Sequence, residues 1–378
     1  MIKVVHIITG LSVGGAENML FKLVSRMDRS EFAPEVISLS GIGPIGEKML
    51  QAGIPVRALN LRPNAPNPAL LLLLAQWLRQ SRPQVVQTWL HHADLLGGVA
   101  TRLAGRIPLA WNIRHSNLDP ATIKRQTILI GGACARLSHS LPQRIVCCSE
   151  AGREEHARLG YAVDKLIVIP NGFDLAAYRP NEEAGRNIRQ EIGIAPEAPL
   201  IGLIGRFHPM KDHATFVQAA ALLHRQRPEV HFLCCGEDVT WRNASLADPI
   251  RQAKLCERFH LLGQRGDMPR IAAALTIGTL CSLYGEGFPN VIGEAMACGV
   301  PCVVTEVGDS AAIVGDTGLV VPLRSPDALA EAWNRLLSLS SEAAQRSALA
   351  ARNRVETLFA LDAVVGRYQE LYKDMSRA

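Results

Sequence analysis

The chain has 378 residues, 48% of them apolar and 20% charged, with 31 Gly and 22 Pro; this is ordinary globular composition and excludes collagen-like, low-complexity and disordered chains. Aromatic residues make up 5%, too few for a broad base-stacking nucleic-acid platform, and the length accommodates two domains. The net charge of +5 lies in the first half, where residues 1–183 hold 20 Lys and Arg against 14 Asp and Glu while the remainder holds 20 against 21, so an anionic phospholipid surface or an anionic carrier is a candidate contact there.

The opening apolar run, residues 3–8, reads as a strand rather than a signal peptide, because it ends in glycine-rich sequence and not at a small-residue cleavage site. A loop spans 10–15, and Met19, Leu20, Leu23, Val24 and Met27 then mark a helix over 16–27. Residues 34–39, 84–88, 109–113 and 144–148 are further short apolar strands with helical stretches between them. Continuous rather than alternating apolar strands predict a parallel sheet covered on both faces. The leucine-rich run 69–78 is far shorter than the roughly 20 residues that span a bilayer. The nine cysteines form no Cys-x-x-Cys pair and sit mostly in apolar runs such as 145–148 and 232–235, which fits reduced, buried thiols of a cytosolic protein better than a disulfide framework or a zinc site.

The pattern then restarts. A polar stretch over 178–199 precedes a new first strand at 200–205, a helix over 214–225, strands at 230–235, 277–281 and 300–304, and a last helix over 361–374. This predicts two doubly wound α/β domains, 1–170 and 171–352, with a helical segment 353–378 packing back on the first. Ligands bind beyond the carboxyl ends of the strands in such sheets, so the active site is expected in a cleft between the domains. A single Rossmann dehydrogenase is excluded, since no Gly-x-Gly-x-x-Gly follows either first strand, and no Walker A segment is present.

Chemistry concentrates at strand ends. In the segment 282–301, Asn290 is expected to cap a helix over 291–298 that Gly299 ends. Its N-terminus suits a phosphate. Glu294 lies one turn inside, where it can accept hydrogen bonds from vicinal hydroxyls such as a ribose, and Glu286 on the loop is free to face a second polyol. Two such carboxylates fit acid–base catalysis, metal binding or sugar binding equally. After the strand at 200–205, Arg206 and Lys211 flank a short loop and form an anion site of the kind a diphosphate leaving group needs. Gly14 and Gly15 let backbone approach a ligand closely, and His115 can donate to a sugar or phosphate. His91, His92 and Asp94 lack a third metal ligand at sensible spacing. No Asp-x-Asp occurs, so no metal and no cofactor is expected.

Glu286 and Glu294, the segment around them to Val303, the loop from Gly205 to His213, Pro170-Asn-Gly172, and Gly14-Gly15 together resemble the retaining, nucleotide-sugar-dependent glycosyltransferases of family four, which have the GT-B fold. The likeness runs over nearly the whole chain, including Leu262-Gly263, Asp267-Met-Pro and the segment from Val307 to Gly318. It implies that Arg206 and Lys211 hold the donor diphosphate, that Glu294 takes the ribose, and that Glu286 with Phe288, Pro289, Asn290 and Val291 meets the donor sugar. It further implies that Gly14 and Gly15 approach the phosphates, that His115 and Glu286 stand at the transferred sugar, and that Gln264 and Arg265 lie near the base. The sequence around His115 departs from the family's commoner glycine-containing loop, and Thr276 stands where Asp is frequent. The implied activity is transfer of a hexose to a hydroxyl of a glycan or lipid-linked acceptor, with no nucleic acid involved. The alternatives are a nucleotide-sugar epimerase on the same fold and a catalytically silent sugar-nucleotide-binding protein. Lys124, Arg125 and Arg136 among apolar residues over 122–141 point to a cytoplasmic protein in peripheral contact with the inner face of the membrane.

Overall fold

The structure, a computed structural model, describes residues 1–61, 68–114 and 125–377. Seven parallel strands form the first sheet: β1 (Ile2–Ile8), β2 (Phe32–Ser38), β3 (Val56–Ala58), β4 (Val85–Trp89), β5 (Leu109–Ile113), β6 (Arg144–Cys147) and β7 (Leu166–Val168), in the order β3-β2-β1-β4-β5-β6-β7. Six more form the second: β8 (Leu200–Ile204), β9 (His231–Cys235), β10 (Phe259–Leu261), β11 (Ile277–Leu280), β12 (Cys302–Thr305) and β13 (Leu319–Val321), in the order β10-β9-β8-β11-β12-β13. Both are doubly wound.

The apolar runs are continuous because both faces of each central strand are covered. Along β1, Val4 and Ile8 join the core on one face, with Leu20 and Leu23, while Val5 and Ile7 join the core on the other, with Leu74 and Leu78. In the second sheet, Ile201 and Leu203 of β8 pack with Phe216, Phe232 and Trp333. Each fully buried side chain of this size contributes about 1.5–3 kcal/mol.

The chain divides into two compact units, Met1–Gly172 with Leu361–Ala378, and Phe173–Ala360. Position 352, where the sequence reading ends the second domain, lies inside the helix Ser341–Phe359. Helix Leu361–Arg377 supplies Leu361, Val364, Tyr368 and Tyr372 to the first core. The Tyr372 hydroxyl donates to Gln87, and Asn112 donates to the Tyr368 hydroxyl at 3.1 Å, so this helix is tied to β4 and β5 by polar as well as apolar contacts. The stretch 178–199, read from sequence as a polar connection, contains the helix Glu182–Glu191, capped by Asn181, whose side chain accepts from the Ala184 amide at 2.9 Å.

Candidate active site

In the second unit the strand order reverses between β8 and β11, and the loops leaving the carboxyl ends of these two strands lie where doubly wound sheets bind ligands. The loop after β8 runs from Gly205 to the helix His213–His224; the loop after β11 runs from Cys281 to the helix Asn290–Ala297. They are stitched together where the Leu283 amide donates to the Met210 carbonyl at 2.8 Å. Asp212 adopts a left-handed conformation (φ 46°) and caps the helix at His213, accepting from the Thr215 amide at 3.2 Å and its hydroxyl at 2.6 Å. This turn presents Lys211.

Lys211 Nζ and Glu286 Oε1 form an ion pair, and the Ser282 hydroxyl donates to the same carboxylate oxygen at 2.6 Å. The sequence places Glu286 on a loop, free to face a polyol; in the structure its carboxylate is held by Lys211 and Ser282. Glu286 is only 8% exposed, and a carboxylate so far from water requires a partner, which arrives from 75 residues away along the chain. Arg206, by contrast, is exposed at the end of β8 and makes no ion pair with any described residue. Burial, and secondarily the Lys211 charge, hold the neighbouring His213 down to about 4, so His213 is neutral near pH 7. The positive charge of this turn therefore rests on Lys211 and Arg206.

The loop carrying Glu286 lies on a fixed bed. The Asp309 amide donates to the Gly287 carbonyl at 3.0 Å, and the Thr305 hydroxyl donates to the Ser282 carbonyl at 2.7 Å. Pro289, extended at φ −70°, is the residue before the helix, and Asn290 is its first turn rather than the cap expected from sequence; proline ahead of it fixes the chain's entry without a side-chain acceptor. Phe288 turns inward, stacking on Phe173 (centroids 6.0 Å apart) and meeting Phe359 edge-on; its ring is a packing group. Pro289 is buried and Val291 half-buried.

One turn along, Gly293 is where the Phe173 ring sits: a Cβ there would lie 2.1 Å from Phe173 Cζ. Gly293→Ala is expected to lower stability by about 1–3 kcal/mol despite alanine's better helix propensity, visible as a lower thermal midpoint; an unchanged midpoint would show that the ring yields. Glu294 follows, half-buried; burial first, and then the charge of Glu294, push the Tyr178 hydroxyl's pKa up. Tyr178 was not legible from sequence, since 116 residues separate the two positions.

Near the expected base region, Gln264 is exposed and Arg265 is fully engaged, its Nε donating to Asp267 at 2.9 Å and its Nη1 pairing with Glu191. In the first unit, Gly14 precedes the helix Gly15–Arg26, and a Cβ on Gly14 would lie 2.3 Å from Glu17 Oε2. The space beside Gly14 therefore holds a carboxylate of the chain itself. Desolvation raises the Glu17 pKa, against its own backbone hydrogen bond and the charge of Arg114. Arg114 lies over the Trp89 ring (5.3 Å) and pairs with Asn171. His115 and Lys124 lie outside the described residues. His91 and His156 stack with Nε2 atoms 3.1 Å apart, and burial pushes the Asp94 carboxyl up to about 8 against the hydrogen bond from Thr88. These three are interior groups of the first unit. Among the described residues no cluster of three or more His, Cys, Asp or Glu could hold a metal ion.

Comparison with known proteins meets this geometry at both sheets. The pattern described as Glycosyltransferase Family 4 matches residues 13–177, and that described as Glycosyl transferases group 1 matches 198–339. The chain belongs to the family-four glycosyltransferases. A curated relative is the UDP-Gal:alpha-D-GlcNAc-diphosphoundecaprenol alpha-1,3-galactosyltransferase of Escherichia coli, 26% identical over 316 residues that cover 81% of this chain and 79% of that one. HepE of Anabaena, solved in complex with UDP, shares the fold at TM-score 0.87 and 22% identity, covering 99% of this chain and 100% of its own; the same protein with UDP-glucose gives 0.84 and 22% over the same spans. This glycosyltransferase thus has the two-sheet GT-B architecture, with its family motifs on the loops that leave β8 and β11.

Proposed function

We propose that this enzyme moves a hexose from a nucleoside-diphosphate sugar, with UDP as the nucleotide, to a hydroxyl of a lipid-linked glycan, with retention at the anomeric carbon. The observation that carries the reading is the Lys211–Glu286 pair at the point where the strand order reverses. A cation held beside a buried carboxylate is pre-positioned for a diphosphate, and the carboxylate for the hydroxyls of the sugar attached to it. The relatives' ligands, UDP, UDP-glucose and a diphosphoundecaprenol-linked sugar, favour the nucleotide and the acceptor class. On this reading Arg206 and Lys211 neutralise the diphosphate as the bond from the anomeric carbon to its oxygen breaks. The acceptor oxygen then bonds to the same face of that carbon, and the acceptor's proton passes to the departing phosphate oxygen. Glu294 takes the ribose hydroxyls.

Charge neutralisation by side chains makes a divalent metal unnecessary, and transfer is expected to continue at an undiminished rate in excess chelator; loss of activity that magnesium or manganese restores overturns this part. Among the described residues no helix is long and apolar enough to cross a membrane. The exposed Leu129 on the helix Arg125–Ser138, beside Arg125 and Arg136, supports peripheral contact with an anionic leaflet from the cytoplasmic side. The experiment that tests the function is a thermal-shift panel of UDP-, GDP- and ADP-sugars followed by transfer to a diphospholipid-linked sugar. A ligand at 100 times its dissociation constant adds about 2.7 kcal/mol. Stabilisation by no member of the panel would sink the assignment.

A further inference from the structure

Three buried hydroxyls form a relay that ends on Glu286. The Ser310 hydroxyl, at the start of the helix Ser310–Val314, donates to the Thr305 carbonyl and accepts from the Val307 amide at 3.1 Å. Thr305, the last residue of β12, donates its own hydroxyl to the Ser282 carbonyl at 2.7 Å. Ser282 in turn donates to Glu286 Oε1 at 2.6 Å, closing a turn through Gly285, which has φ +77°. The circuit is completed by main chain: the Asp309 amide, next to Ser310, donates to the carbonyl of Gly287, next to Glu286, at 3.0 Å. Glu286 is thus gripped twice, by its carboxylate and by the peptide that follows it. Ser282, Thr305 and Ser310 are at most 2% exposed, so bulk water does not compete for these bonds.

We propose that Ser282 is a positioning residue for the donor sugar, its hydroxyl, held by the relay through Thr305 and Ser310, fixing where Glu286 meets the hexose of the nucleotide sugar. A serine hydroxyl has one proton to give, and here it goes to the carboxylate oxygen that also pairs with Lys211. Lys211 reaches that oxygen from the loop after β8, and Ser282 from the end of β11. The ammonium sits on a flexible stem and turns toward the diphosphate when the donor arrives. The hydroxyl, buried and tied to β12, stays, and keeps the carboxylate in register with the sugar. The inference rests on the reading of Glu286 as the residue that meets the sugar, and the test separates the two.

Calorimetry with UDP, UDP-glucose and UDP-galactose gives, as the ratio of dissociation constants for nucleotide and nucleotide sugar, what the sugar adds to binding. It is measured on the wild-type chain, Glu286→Gln, Ser282→Ala and Thr305→Val, with Ser282→Cys, which keeps the size but donates weakly, as a second route should the alanine variant not fold. Glu286→Gln is expected to shift the ratio against the sugar. Ser282→Ala is expected to weaken the nucleotide sugar about tenfold, the scale of a hydrogen bond to a charged group, and to leave UDP unchanged, with kcat/KM for transfer falling at least as far. Thr305→Val, nearly the same shape without the hydroxyl, should move the ratio in the same direction by a smaller factor. Four results overturn it. If Glu286→Gln shifts the ratio and neither Ser282 variant does, the positioning role fails and the sugar reading stands. If Ser282→Ala weakens UDP and the nucleotide sugar equally and lowers the thermal midpoint, Ser282 serves only the fold. If Thr305→Val keeps the wild-type ratio, the relay does not hold Ser282. If Glu286→Gln keeps the ratio, or neither nucleotide sugar binds, the reading of Glu286 itself falls and takes the proposal with it.

Discussion

Replacing Lys211 by Met is expected to lower kcat/KM by about two orders of magnitude and to cost about 2–3 kcal/mol of stability. The first figure follows from the loss of a charge-assisted contact to the diphosphate worth roughly 1.5–3 kcal/mol, at tenfold in rate per 1.36 kcal/mol. The second follows from the partner left behind. Glu286 loses its cation while keeping the Ser282 hydroxyl, with its side chain 11% exposed, and taking the counter-charge from a carboxylate at that depth is costly. The two effects can be pulled apart. Adding Glu286→Gln to Lys211→Met removes the carboxylate charge as well, so the thermal midpoint should recover toward wild type while transfer stays low. Recovery of both would mean that Lys211 acts only by satisfying Glu286 and never meets the donor. Recovery of neither would mean that the pair is not the main support of this loop.

Gly308→Ala is expected to be as damaging without touching a charged group. Gly308 has φ +57°, a left-handed conformation that costs other residues about 1–2 kcal/mol, and a Cβ would lie 2.2 Å from the Glu286 carbonyl oxygen and 2.7 Å from that of Gly287. Both obstacles are backbone, so the loop itself must move. A total loss of about 2–4 kcal/mol should lower the thermal midpoint by about 5–10 °C, and a displacement of about 1 Å at Glu286 should reduce turnover about a hundredfold. Full activity in a folded Gly308→Ala variant would show that the loop's position does not set the carboxylate's. Far-ultraviolet circular dichroism distinguishes a displaced loop from an unfolded unit.

The central strands were legible in the sequence for a simple reason: buried on both faces, β1, β4, β5, β8, β9, β11 and β12 read as unbroken apolar runs. The strands at the sheet edges, β3, β7, β10 and β13, are three residues each and only partly buried, and so carried too few apolar side chains to stand out. Site residues divide similarly. The positions of Arg206, Lys211 and Glu286 on strand-end loops, and of Glu294 in the helix that follows the second, came from local pattern, because a glycine turn after an apolar run marks such a loop. Their partners did not. That Lys211 meets Glu286, that Arg265 is held by Glu191 and Asp267, and that Phe288 packs on Phe173 and Phe359 are tertiary facts that no local spacing encodes. Asn290 illustrates the opposite limit: its residue type favours a cap, and the proline before it displaces it by one position.

Helix Leu361–Arg377 gives seven buried side chains to a core whose other members all precede residue 170. During translation, therefore, the second unit is complete on the ribosome while the first still lacks a wall, with the pockets for Tyr368 and Tyr372 open to water. The nascent first unit must wait through nearly two hundred further codons before it can close. A nonsense codon near position 360 would yield a product whose second unit is intact and whose first is a ready client for chaperones and proteases.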